Sequence, residues 1–268
     1  MSTSGPITFV VPVTKSGEIL ENNFLASPCL KDRRRDQLLI QENFPSASTA
    51  FNEAIGQSRN DLMVFVHQDV WLPEPWLAQL ERALDQLKVV DPNWGVLGCW
   101  GASPGEGCRG FIYSNGLGIL GSPFVQPVPV QTLDEIVLIL RKSSGLRFDE
   151  RLPSFHLHGS DICLAAARKA MTSYVIPAFC VHNNNPYAAL PKEFYECCRV
   201  LKQKWKAELP IETPCVKITR FNAPLRLRRL KEAYFRHIGR RKHEVSRAQN
   251  VPSLLREVAL LLGKSAAN

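Results

Sequence analysis

Residues 64–70 read Val64-Phe65-Val66-His67-Gln68-Asp69-Val70. An apolar run of the kind that forms a buried strand stops abruptly in His-Gln-Asp, and an aromatic loop carrying Pro73 and Pro75 follows. In an open α/β sheet the C-terminal ends of the strands face the ligand crevice, so polar side chains at such an end are placed for chemistry. A strand that merely stops in a polar turn has the same local sequence. The surrounding segments decide between the two.

Working outward, Ile7 to Val13 reads as a first, fully buried strand. Ser46 to Gln57 reads as a helix with Ser48 as its cap and Ala50, Phe51, Ala54 and Ile55 on one face. Leu62 to Val66 is the strand that feeds His-Gln-Asp, and Pro73 to Lys88 is an amphipathic helix with Trp76, Leu77, Leu80, Ala83, Leu84 and Leu87 inward. Gly95 to Trp100 is another buried strand, and residues 101–132, rich in Gly and Pro, form an irregular stretch with a hairpin around Tyr113 to Leu120. Leu133 to Arg141 reads as one strand, Ser160 to Ala170 as a helix, and Tyr174 to Pro177 as a short strand leading to His182. Strands alternating with helices early, then a mixed second half, predict an α/β three-layer fold with a mostly parallel sheet. Beyond Pro191 the pattern is helical: Lys192 to Glu208, Pro224 to His237, and Val251 to Leu262.

Composition bounds the class. A chain of 268 residues with 45% hydrophobic and 22% charged residues is an ordinary globular protein with a sizeable core, organised as one large domain and an appendage. No apolar stretch approaches the roughly 18 residues of a membrane-spanning helix, and Met-Ser-Thr-Ser-Gly-Pro is no signal peptide, so a cytoplasmic location is expected. The eight cysteines include no C-x-x-C pair and read as reduced core residues. Charge is uneven: residues from Arg199 onward carry 17 Lys/Arg against 5 Glu, a balance of +12, while residues 1–198 stand at −4 within the overall +8. A basic tail of this kind suits an anionic membrane surface. No nucleic-acid partner is expected, since no binding motif or series of stacking aromatics accompanies the charge.

Five segments stand in order: the loop and helix from Asn43 to Ile55 with Asn43 and Asn52 nine apart, the His-Gln-Asp turn, Gly-Leu-Arg-Phe-Asp-Glu at 145–150, Gly159-Ser160-Asp161-Ile162-Cys163-Leu164, and Val181-His182. In that order and spacing, residues 6–185 resemble the nucleotide-sugar glycosyltransferases of the GT-A fold, and most closely the family-2 group whose Asp-x-Asp metal motif reads His-Gln-Asp-Val. The resemblance implies a GT-A three-layer α/β/α domain over residues 1–198 and a basic helical extension over 199–268. It also implies an inverting, metal-dependent transfer of a sugar from a nucleotide-diphosphate sugar to a hydroxyl of a glycan or lipid-linked acceptor.

The implied site follows residue by residue. Asp69 stands where the family's last acid binds the divalent cation, manganese or magnesium, and His182 where a late histidine supplies a second ligand; imidazole suits manganese better than magnesium. His67 replaces the motif's first acid, and with Gln68 it lies beside the donor. Pro12, Val13 and Thr14 fall where the nucleotide base and ribose sit, with Asn43 and Asn52 shaping that pocket, although Asn52 fits equally well as a helix residue satisfying a backbone group. A carboxylate at a helix start stays ionised, as a general base must, and this favours Asp161. Many relatives read Glu-Asp-x-Asp-Leu there, and if Asp161 aligns with the second aspartate the base position becomes Gly159, which leaves His158 as the alternative. Asp134 and Glu135 are a less favoured pair for the same role; in this reading they face the same crevice and touch the acceptor sugar. Two rivals remain. A nucleotidyltransferase would need a glycine-rich phosphate loop and an early lysine, of which Lys15-Ser16-Gly17 is only an echo, and a degenerate, non-catalytic glycan- or partner-binding module would account for the altered metal motif.

Overall fold

The computed structural model describes residues 5–13, 17–31, 35–183, 190–237 and 256. In chain order the strands are β1 Ile7–Val13, β2 Gln37–Glu42, β3 Leu62–Val66, β4 Val70–Trp71, β5 Leu97–Gly98, β6 Trp100–Ser103, β7 Gly107–Ser114, β8 Gly118–Gly121, β9 Val128–Val130, β10 Thr132–Leu133, β11 Val137–Arg141, β12 Ser173–Val175, β13 Cys180–His182, β14 Ile211–Glu212 and β15 Lys217–Ile218. The helices are α1 Gly17–Asn22, α2 Ala47–Gln57, α3 Trp76–Val90, α4 His158–Arg168, α5 Lys192–Lys204 and α6 Ala223–His237.

The central sheet has the order β2-β1-β3-β11-β5-β12-β9. Alternate residues of its inner strands feed two cores, because successive side chains point to opposite faces. Phe9, Val11, Val64 and Val66 pack with Trp76, Leu80 and Leu87 of α3. Val10, Met63 and Phe65 pack with Phe51 and Ile55 of α2 and with Ile162 and Cys163 of α4. This is the expected three-layer α/β/α arrangement. Each fully buried side chain of this size contributes about 1.5–3 kcal/mol.

The sheet is more mixed than the mostly parallel one expected. β1 runs parallel to β2 and β3, and β12 parallel to β5, but β11 runs antiparallel to both β3 and β5, and β9 antiparallel to β12. The cause is a break in the single strand expected over 133–141. Thr132 and Leu133 pair with β6 in a second sheet, and the chain then crosses at Asp134-Glu135-Ile136 to enter the central sheet as β11. No crossover helix intervenes, so β11 enters antiparallel. The second sheet has the order β10-β6-β7-β13-β4 with β8 beside β7.

Two local expectations shift. Ser46, and not Ser48, caps α2: its Oγ accepts the Thr49 N–H at 3.3 Å, while Ser48 lies buried inside the helix. The division expected at residue 198 falls inside α5, whose Cys197 and Leu201 share one core with Leu157 and Leu164 of the main body and with Ile211 and Ile218. The main body therefore runs on at least to β15. The helix expected over 251–262 and the cluster Arg240-Arg241-Lys242 lie outside the described residues.

Candidate active site

Register builds the site. β3 ends at Val66, and the following His67 N–H donates to the Ile136 carbonyl at 3.1 Å. The tight turn closes as the Val70 N–H donates to the His67 carbonyl, and β4 begins at once. β13 pairs antiparallel with β4, placing His182 opposite Val70, and the Asn183 N–H donates to the Asp69 carbonyl at 2.9 Å. Two segments more than a hundred residues apart in sequence are thereby locked side by side.

The result is a cluster of His67, Asp69 and His182 whose ligand atoms all lie within 4.8 Å of one another. His182 Nε2 is 3.5 Å from Asp69 Oδ1, and the two imidazole centroids are 6.1 Å apart. Burial alone would raise the Asp69 carboxyl, yet the His182 imidazole and, less strongly, His67 hold it below its ordinary value. His182 moves the other way: burial would lower it, but Asp69 raises it above the usual imidazole range. Burial lowers His67. Asp69 Oδ1 is nevertheless buried without a hydrogen bond of good geometry. A nearly buried carboxylate oxygen with no full partner, flanked by two imidazoles, fits a borderline divalent cation with further positions left open.

The ring is braced from below. Asn183 is fully buried, and its amide donates to Asn23 Oδ1 at 2.6 Å, while Asn115 donates to the Asn183 carbonyl at 2.9 Å. Ser114 Oγ lies 3.5 Å from His182 Nδ1. In sequence, Asn183 is only the first of three turn-favouring asparagines, and nothing local marks it as a brace.

Other expected residues lie elsewhere or do other work. Pro12 and Val13 stand at the C-terminal end of β1 beside Gln41 and Glu42; Thr14 lies outside the described residues. Asn43 is exposed and takes a left-handed backbone, φ 62°, where β2 ends. Gln68 sits partly exposed in the turn between the two candidate ligands. Asn52 is spent on the protein itself. Its amide donates to the Phe148 carbonyl at 2.9 Å and its carbonyl accepts the Phe148 N–H at 3.0 Å, so it ties α2 to the 148–150 segment rather than lining a nucleotide pocket.

The two candidate bases both lie buried in the protein. Asp161 is 1% exposed, and Lys204 Nζ lies within 2.8 Å of both of its oxygens while Trp205 Nε1 donates to Oδ1 at 2.6 Å. Such a carboxylate anchors α5 to α4 and, at 1% exposure, is shut away from an acceptor. His158 is also 1% exposed, with its ring against Phe51 and Phe148 at centroid distances of 5.3 and 6.0 Å. Burial pushes its pKa well below the ordinary value, so it is a neutral core residue.

A two-sheet α/β body with a polar cluster at the end of β3 is the architecture of the GT-A glycosyltransferases, and this chain has that fold. S. aureus TarS (residues 1–349) is similar at TM-score 0.50 and 16% identity, over 75% of this chain and 65% of that one. The structure of the same protein in complex with UDP-GlcNAc matches at TM-score 0.50 and 16% identity, over 75% and 66%. Among curated proteins, the Fuscovulum blasticum protein described as "ATP synthase subunits region ORF 6" is 27% identical over 154 residues, 55% of this chain and 61% of its own length. The chain thus spans under two thirds of each of these relatives. No family model matches.

Proposed function

We propose that the chain transfers a sugar from a nucleoside-diphosphate sugar to a hydroxyl acceptor, with inversion at the anomeric carbon. The observation that carries this reading is the His67–Asp69–His182 cluster at the end of a central strand, with its incompletely partnered Asp69 oxygen. Asp69 and His182, with His67 beside them, would hold a divalent cation, manganese before magnesium. Bound there, it would neutralise the diphosphate as the sugar leaves. The ends of β1 and β2, with Pro12, Val13 and Asn43, form the neighbouring rim on which the nucleoside would rest. Direct displacement in one step inverts the sugar carbon. TarS, bound to UDP-GlcNAc in one of its structures, makes that nucleotide sugar a first donor to try.

The test is a thermal-shift panel of UDP- and GDP-sugars with and without manganese chloride. A true donor at a hundredfold excess over its Kd stabilises the fold by about 2.7 kcal/mol, and the shift should need the metal. A panel with no shift sinks the reading. Metal-dependent binding with no release of nucleoside diphosphate would favour the non-catalytic module instead.

A glycan or lipid-linked acceptor is the accompanying proposal, with the C-terminal part resting on an anionic membrane. Among the described residues no helix is long and apolar enough to cross a bilayer. On α6, however, Leu227, Leu230 and Tyr234 form an exposed stripe, 54%, 68% and 61% accessible, beside the exposed Arg226, Arg229 and Lys231. An apolar stripe edged by cations is what an interfacial helix needs. Co-sedimentation with anionic liposomes at low salt checks this, and a chain that stays in the supernatant sinks it.

A further inference from the structure

We infer that Glu135 is the general base that takes the proton from the acceptor hydroxyl. The inference rests on the transfer reaction proposed above and assigns the step that Asp161 and His158 leave without a residue.

Position comes first. Asp134-Glu135-Ile136 is the crossing between the two sheets, and it runs beside the His-Gln-Asp turn, since Ile136 accepts the His67 N–H and Val137 pairs with Val66. Asp134, next to Glu135 in this crossing, acts through its charge on both His67 and His182. Asp134 already accepts the Ile136 N–H at 3.2 Å. Glu135 is partly exposed, yet its Oε1 is buried with no hydrogen-bond partner. A half-sheltered carboxylate with an unmet oxygen is poised for a ligand hydroxyl.

The start of α4 holds that carboxylate in place. Leu157, at the helix N-cap, has a left-handed backbone (φ 62°) and supplies no side-chain cap. The N–H groups of Leu157 and Gly159 turn toward Glu135 instead. Gly159 is what permits the approach: a Cβ there would stand 2.8 Å from the Leu133 carbonyl and 3.3 Å from Glu135 Cγ. Burial, reinforced by Asp134, pushes the Glu135 carboxyl up from 4.5 to about 8, against the pull of those N–H groups. A base is most effective when its pKa lies near the working pH.

The step balances. A lone pair of the acceptor oxygen forms the bond to the anomeric carbon while the bond from that carbon to phosphate oxygen breaks. The electron pair leaves on the diphosphate, and the hydroxyl proton passes to the Glu135 carboxylate and then to water.

The experiment uses the full chain, manganese chloride and the UDP- or GDP-sugar that stabilises it best, and follows release of nucleoside diphosphate to water or acceptor. Glu135→Gln should cut turnover by at least about a hundredfold, with donor Kd within about twofold of the wild type. In Glu135→Ala, sodium formate should restore at least about a tenth of the lost rate, which no mere helix cap would allow. Wild-type turnover in Glu135→Gln, or no response to formate in Glu135→Ala, overturns the assignment. So does a wild-type chain that binds donor and metal yet never breaks the sugar–phosphate bond. Failure of every donor to bind would instead strike the transfer reading itself.

Discussion

Asp161 and Glu135 are two carboxylates at the same end of α4, and they differ in what the fold brings to them. Asp161 meets an ammonium and an indole N–H, with both oxygens engaged within 2.8 Å. Glu135 meets another carboxylate and backbone N–H groups and is partly exposed, with one buried oxygen left without a partner. A satisfied buried carboxylate is structural, because further ligands have nothing to gain from it. An unsatisfied one is costly to the apo protein, and binding can recover that cost. Asp69 belongs with Glu135 in this contrast, since its Oδ1 also lacks a hydrogen bond of good geometry.

The contrast can be broken where its expected effects are largest. Asp69→Asn should lower turnover by about a thousandfold or more, because a bound cation is worth several kcal/mol and each 1.4 is about tenfold. Its melting temperature should stay at or above that of the wild type, which calorimetry alongside the nucleotide-release assay will show. Normal turnover in manganese would remove Asp69 from the site. Asp161→Ala should do the reverse. Taking one partner from a buried ion pair costs about 3–5 kcal/mol, read by denaturant titration, while donor affinity in the folded fraction stays put. Lys204 also reaches Asp149 at 2.8 Å, which favours the lower end of that range. A loss under about 1 kcal/mol would put Asp161 and Glu135 in one class and dissolve the comparison.

The smallest effect is a matter of pH. The Glu135 carboxyl is raised from 4.5 to about 8 by burial and Asp134. Its other neighbours are the α4 N–H groups and the thiols of Cys163, Cys197, Cys198 and Cys215, all pushed up and uncharged at neutral pH. Between those two values the folded chain holds a proton that the unfolded chain has released. The wild type therefore loses stability as pH climbs through the window. Glu135→Gln cannot ionise, so its melting temperature should gain on the wild type between about pH 5 and 8 and run parallel above that. A constant difference across the window would mean that the carboxyl is not raised.

Much of this was legible in the residues. The near-continuous apolar runs in Ile7–Val13 and Leu62–Val66 are those of strands covered on both faces, so both strands and their two-sided burial followed directly. The polar turn after Val66 marked the strand end that carries Asp69, and His182 was placed by resemblance alone and then found beside it. What misled was the helix starting near Asp161. An acid at a helix start looks the same whether it caps, pairs or catalyses, and its partners Lys204 and Trp205 arrive from more than forty residues downstream. Asn52 misled for the same reason, its partner Phe148 being 96 residues away. The break at 134–136 was missed although Asp134-Glu135 interrupts the apolar residues between Leu133 and Ile136, because a polar pair inside a strand reads the same as a crossing between two sheets.

By itself, then, the sequence determined the layers, the strand that ends in His-Gln-Asp, and the residue types available for chemistry, because periodicity and turn chemistry are local properties of a chain. Only the tertiary structure decided which of those residues remain unsatisfied. Saturation of a buried polar group depends on what distant segments bring within hydrogen-bonding reach, and that separates Asp161, anchored by α5, from Asp69 and Glu135, each with a buried oxygen left without a hydrogen bond of good geometry.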